Sequence, residues 1–308
     1  MEGEATLEIL RPTSSETENS QLAQLKSSLT AKPAEPKLDL EDLYLILQLQ
    51  PNDSFMALEL AKRLRDSGKL QEAHKVLQGI VKIDYRFATI HTLAQIEYQL
   101  DQIDDAFTHL QEAVSIASEE SPEFFELFKT MGNIFVRRGD LDSAEDSYNK
   151  AYRLMPASDV LQVNFGTLYI QRQNWDEAAD RFRKALELNI TNDKAWVGLA
   201  ICHRMKADHE LAWGNVEAAL EYNPLNEVAL GLALDWGSQE GREFRVLDLI
   251  RQFLVEGGWS ERMSLAFCWL SWRRGEGQIA LFELERLLAV NPGNATALQL
   301  LGEIRKSA

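Results

Sequence analysis

Phe128-Lys-Thr-Met-Gly132-Asn-Ile-Phe135-Val-Arg-Arg-Gly139-Asp140-Leu-Asp-Ser-Ala144-Glu-Asp-Ser-Tyr148-Asn-Lys-Ala151-Tyr-Arg-Leu-Met-Pro156 is the stretch that decides the fold. Phe128, Met131, Gly132 and Phe135 recur at three- and four-residue intervals and mark one face of a helix. Gly139-Asp140 supplies a left-handed stop and then a cap for the next helix. Ala144, Tyr148 and Ala151 line that second helix, and Pro156 ends it.

The same unit recurs at a step of 34 residues. Gly132, Gly166, Ala200, Leu234, Cys268 and Gly302 form one ladder, and Ala144, Ala178, Ala212, Val246 and Ala280 form another. A third joins Pro156, Ile190, Pro224, Gly258 and Pro292. Small residues let two helix backbones approach, and the large apolar ones between them fill the gaps. Such units bury their apolar faces only against their neighbours, which is the logic of a helical-pair solenoid.

The spacing predicts about seven helix pairs at 54–87, 88–121, 125–158, 159–192, 193–226, 227–260 and 261–294, within a body spanning 37–308. A capping helix over about 38–50 precedes them, and another over 295–306 follows. Residues 1–36, rich in Ser, Thr, Glu and Pro, read as a disordered tail. Leu22, Leu25 and Leu29 lie within it at helical spacing, so the tail could fold back as a lid over an apolar groove. The first two pairs lack aromatics at the packing sites, and a linker holding Glu119-Glu120-Ser121-Pro122 adds four residues. The sixth pair is the least regular. Leu234, Val246 and Phe253 stand where small residues are expected, and Gly237 stands where an aromatic is expected, which predicts a local change in stacking.

These residues resemble the tetratricopeptide repeat family over roughly 38–306. The pattern reads as Trp196, Leu199, Ala200, Ala212, Ala219 and Pro224, or as Gly132, Phe135, Ala144, Tyr148, Ala151 and Pro156. The resemblance implies an all-α, right-handed superhelical solenoid that binds a protein partner along its concave first-helix face.

Charge and composition narrow the function. Net charge is −16, with acids spread over the repeats, which opposes a nucleic-acid backbone. No apolar run approaches the roughly 20 residues of a membrane span, and the N-terminal residues lack a secretory pattern. Cys202 and Cys268, the only cysteines, read as buried thiols of a cytoplasmic protein. No phosphate loop, nucleophile elbow or metal-ligand pattern is present. His74, His91, His109, His203 and His209 are scattered, and His203 occupies a packing position. The expectation is a non-enzymatic adaptor without cofactor or metal. Asn189-Ile-Thr and Asn294-Ala-Thr are glycosylation sequons by letter alone.

On the inner face, helical spacing selects Lys129 and Asn133, then Val160, Val163, Asn164, Thr167 and Ile170, then Lys194, Val197, Ile201 and Arg204. By the resemblance, Lys129, Asn133, Asn164 and Lys194 match four members of the carboxylate clamp of chaperone-binding repeat domains. The clamp's Arg is replaced by Gly198, and Arg204 lies further along the helix. Three readings stay open: a dicarboxylate clamp of a co-chaperone, a groove for another acidic or amphipathic peptide, and a merely solvated face. The apolar members either form an exposed patch or are buried by curvature. A second candidate surface is the Trp-rich end, where Leu265, Trp269 and Trp272 share a stripe flanked by Arg262 and Arg273. Trp and Arg dominate interface hot spots, so this end could support a homodimer or assembly scaffold. Bulky filler around the sixth pair is the competing account.

Overall fold

The computed structural model describes residues 39–116 and 124–307. The expected disorder of 1–36, the Leu22, Leu25 and Leu29 lid and the Glu119–Pro122 linker lie outside them. The described residues form sixteen helices and no strand. In chain order these are α1 (Leu40–Leu49), α2 (Ser54–Asp66), α3 (Leu70–Ile80), α4 (Phe87–Gln99), α5 (Ile103–Ile116), α6 (Phe124–Arg138), α7 (Leu141–Leu154) and α8 (Asp159–Gln171). They continue as α9 (Trp175–Leu188), α10 (Asp193–Met205), α11 (His209–Tyr222), α12 (Glu227–Gln239), α13 (Glu243–Val255), α14 (Glu261–Arg273), α15 (Gly277–Val290) and α16 (Ala295–Ser307). Two compact units divide at Gly139/Asp140.

In the first unit, Leu43 and Ile46 of α1 join Leu60, Leu64, Leu77, Leu93 and Ile96 in one buried aliphatic cluster. This is how the first pairs do without aromatics: leucines from successive helices fill the same volume. Asp39 starts α1 with a capping box, its carboxylate accepting from Asp42 N at 2.9 Å.

The turns that end the first helices share one device. Gly68, Asp101 and Gly139 in the first unit, and Gln173, Ala207, Gly241 and Gly275 in the second, all have φ between +60° and +88°. In the second unit the following residue closes the turn. Asn174 N donates to Tyr169 O at 2.9 Å, and Asp208 N donates to His203 O at 2.9 Å. This bond satisfies a carbonyl that the helix end leaves open. Gly139 is the left-handed residue expected from the sequence. Gln173 and Ala207 hold the same geometry with side chains, at a strain of about 1–2 kcal/mol each.

Close packing in the second unit turns on Phe182. A Cβ added at Gly166 would come within 2.6 Å of its ring, and one at Gly198 within 2.3 Å. The ring, 1% exposed, therefore fills notches on two successive first helices. The irregular sixth pair follows the same rule with the bulk exchanged. Val246 fills the space that a side chain at Gly237 would need, at 2.4 Å, and Phe253 does so at Gly258, at 2.3 Å. The Val246 and Phe253 substitutions at small-residue sites are thus matched by glycines opposite them.

Pairs in this unit are also closed by amides in the loop that leads to the next helix. Asn189 and Asn192 donate to Asp159 at 2.8 and 2.9 Å, and Asn223 and Asn226 donate to Asp193 at 2.6 and 2.8 Å. Asn291 and Asn294 donate to Glu261 at 3.1 and 2.6 Å. The equivalent positions for Glu227 are Gly257 and Ser260, which cannot make this clasp. Both sequon asparagines are thus structural amides, and Asn294 is 8% exposed.

Candidate functional site: a cationic cleft on the first helices

An opening lies wholly within the first unit. It is a cleft of ≈ 710 Å³ between α2, α4 and α6, and its walls carry Lys62 and Arg65, His91 and Gln95, and Lys129 and Asn133. Each helix contributes because its inner face carries polar side chains one turn apart. Arg65 donates to Gln95 Oε1 at 2.6 Å and to Asp66 at 3.0 Å, which fixes its guanidinium across two helices. Lys129 reaches Glu126 at 2.6 Å, and its ammonium lies 5.3 Å from the centre of the Phe125 ring. Both acids on the walls, Asp66 and Glu126, are therefore already matched by cations.

His91 sits on the floor of this cleft. Burial pushes its pKa down to about 4, with Arg65, Lys129 and Lys62 opposing the imidazolium further and Glu126 favouring it. The ring is neutral at pH 7, lies 5.2 Å from the Phe87 ring and makes a 3.3 Å contact with Gln95 Nε2. A neutral ring beside an aromatic and three cations gives a surface suited to an extended chain carrying acidic side chains.

Behind the cleft, Glu97 is 2% exposed and accepts at 2.7 Å from His109 and lies 3.4 Å from His74. The hydrogen bond to Glu97 raises the His109 pKa. This buried carboxylate ties α3, α4 and α5 together and keeps the cleft floor in place.

Of the residues selected from the sequence, Lys129 and Asn133 line the cleft. Asn164 and Lys194 belong to the second unit, so neither unit holds all four clamp-type residues. Lys194 and Thr167 are exposed, and Thr167 donates to Val163 O at 3.0 Å. The exposed apolar wall needs correction. Val160 is exposed, but Val163 and Val197 are each 8% exposed and packed into the core, with Ile170 and Ile201 half-buried against it. Packing against Phe182 and Leu199 in one cluster, and Trp213 and Leu230 in the next, buries these side chains. Arg204 is also committed: it pairs with Glu240, donates to Gln239 at 2.9 Å and stacks 5.0 Å from Trp236. An Arg at position 198 would collide with Phe182.

At the C-terminal end the stripe is split. Leu265 and Trp272 pack against the cluster of Cys268, Leu284, Leu287 and Ile304, while Trp269 is 43% exposed with Arg273 at 4.7 Å over its ring. Arg262 pairs with Asp235 at 2.5 Å. A smaller cleft of ≈ 390 Å³ lies beside Trp269, between α14 and α16. Trp213 is core, at 4% exposure, and Trp175 and Trp196 are half-buried. Burial raises the thiols of Cys202 and Cys268 to about 11 and about 12, so both are inert at neutral pH.

Lys62, Arg65, His91 and Gln95 were missed from the sequence. Carrying Asn133 back by 38 residues, the same step that separates Ala106 from Ala144, lands on Gln95. A further 33, the step from Ala73 to Ala106, lands on Lys62.

Two tetratricopeptide repeat models match the chain, over residues 85–157 and 163–224. No curated protein matches it. Among solved structures it is similar to a tetratricopeptide repeat protein from Parabacteroides merdae, at 18% identity and TM-score 0.52, over 82% of this chain and 98% of that one. A chain of the APC/C hetero-tetramer Cut9–Hcn1 aligns at 16% identity and TM-score 0.56, over 94% of this chain and 56% of that one. PilF of Pseudomonas aeruginosa aligns at 17% identity and TM-score 0.52, over 70% and 97%. At these identities the likeness is one of fold. Among the described residues no helix is long and apolar enough to cross a membrane.

Proposed function

The chain is a tetratricopeptide repeat protein, of a family whose fold generally serves as a non-enzymatic protein–protein interaction scaffold, and we propose that it acts as an adaptor holding an extended, acidic peptide of its partner in the α2–α4–α6 cleft. One observation carries this reading: in a chain of net charge −16, a cleft of ≈ 710 Å³ gathers Lys62, Arg65 and Lys129 around a neutral His91, against two acids, Asp66 and Glu126. An acidic segment gains charge-assisted hydrogen bonds there, and Gln99 on the same wall carries an amide suited to its backbone. A complete carboxylate clamp is disfavoured, because Phe182 excludes an Arg at 198 and Arg204 is held by Glu240.

The test is selection of the full chain against a displayed random-peptide library, alongside a Lys62→Glu/Lys129→Glu variant. The wild type should enrich peptides with clustered Asp and Glu, and the variant should lose them. Identical enrichment by both proteins would refute the assignment.

A second surface rests on Trp269, whose exposed ring stacks with Arg273 beside a cleft. We propose it for self-association of two copies. Light scattering of the wild type and Trp269→Ala should give a dimer and a monomer respectively, and a monomeric wild type ends the idea.

A further inference from the structure

We infer that the acidic N-terminal segment Met1–Ser20 occupies the α2–α4–α6 cleft of its own chain and so competes with the partner. This rests on the reading of that cleft given above and adds an internal occupant to it. Charge comes first. Met1–Ser20 carries Glu2, Glu4, Glu8, Glu16 and Glu18 against Arg11 alone. The cleft presents Lys62, Arg65 and Lys129 against Asp66 and Glu126, which pair with Arg65 and Lys129, so its walls keep one net positive charge, opposite in sign to the tail. Attachment comes second. The segment joins the described chain at Asp39, the cap of α1, and α1 packs through Leu43 and Ile46 against Leu60 and Leu64 of α2. The helix that supplies Lys62 and Arg65 is therefore next to the anchor point.

Reach does not limit the contact, since 38 residues span up to about 125 Å when extended. Tethering instead makes it effective. A linked segment meets its site at a concentration on the order of millimolar, so a contact too weak to hold a free peptide still holds this one. The chemistry also selects which part of the tail binds. These walls set Lys62, Arg65 and Lys129 beside the apolar Phe87, Ala88 and Tyr98, and the glutamates are the part of the tail that meets the cations.

Zero-length carbodiimide crosslinking of the wild-type full chain, mapped by mass spectrometry, tests this. It joins carboxylates to amines that touch, and Glu126 to Lys129 serves as the internal standard. The expected products link Glu2, Glu4, Glu8, Glu16 or Glu18 to Lys62 or Lys129. Their yield should be unchanged on tenfold dilution and lost in 1 M salt, where charges are screened within about 3 Å. In parallel, a library-selected acidic peptide should bind several-fold more tightly to a full chain carrying Glu→Gln at those five positions. Tail links only to other lysines, links that fade on dilution, or unchanged peptide affinity would each overturn the inference. If these fail while selected peptides still depend on Lys62 and Lys129, the adaptor reading stands alone. If selection also fails, both fall.

Discussion

One register position runs from Lys62 through Gln95 and Asn133 to Thr167 and Ile201, and its neighbour runs through His91 and Lys129 to Val163 and Val197. In the first unit these positions hold polar or charged groups, and the wall stands open as a cleft. In the second unit the neighbouring position holds valines, which are 8% exposed and buried in the core. The backbone plan is shared, and side-chain chemistry decides between opening and closure. Lys129, 17% exposed, keeps its ammonium on Glu126, because an unpaired buried charge costs several kcal/mol, whereas burying each valine gains roughly 1.5 kcal/mol or more. The second unit reinforces closure with Phe182 in two glycine notches and with its asparagine clasps.

That contrast can be broken most severely at Gly198. Gly198→Arg, which would supply the missing clamp cation, meets the Phe182 ring and should destabilise by about 3 kcal/mol, the upper end of ordinary overpacking. Urea melts of the full chain read this, and a variant that is stable and binds acidic peptides better would reverse the account.

The clasps give the next effect. Asp193→Ala leaves the amides of Asn223 and Asn226 without their acceptor and should cost about 1–2 kcal/mol. Glu227→Ala, at the junction lacking the asparagines, should stay within about 0.5 kcal/mol. Equal losses in the two melts would show that the clasp contributes nothing particular.

The smallest effect sharpens the turn comparison. Ala207→Gly relieves left-handed strain of about 1–2 kcal/mol against an entropic loss of about 0.4–1 kcal/mol in the unfolded chain. A gain of about 0.5 kcal/mol should appear as a higher melting midpoint, while Gly241→Ala should lower it.

The repeat was legible because its signal is local: small residues at 34-residue steps, Gly139-Asp140 at a turn and Pro156 at an end all act within one or two turns of chain. Lys129 and Asn133 were legible as inner-face residues for the same reason. The rest of the cleft was not, because the register passes through irregular steps of 38 and 33 residues before it reaches Gln95 and Lys62. Helical spacing gave the direction of Val163 and Val197 but not their depth, which packing against the neighbouring helices sets. Arg204 looked available because its partner Glu240 lies one repeat ahead. The Asn–acid clasps were present in the letters at constant spacing, yet only packing shows that the amides in the loop closing a pair reach the acid that opens it.

His91 offers the most direct measurement of the cleft's role. Its ring can be followed by NMR in the full chain while pH is varied, with and without a library-selected acidic peptide. An acidic side chain placed among Lys62, Arg65 and Lys129 should raise the His91 pKa from about 4. A His91 titration unmoved by saturating peptide, with shifts at His203 or His209 instead, would place the partner elsewhere and contradict the account.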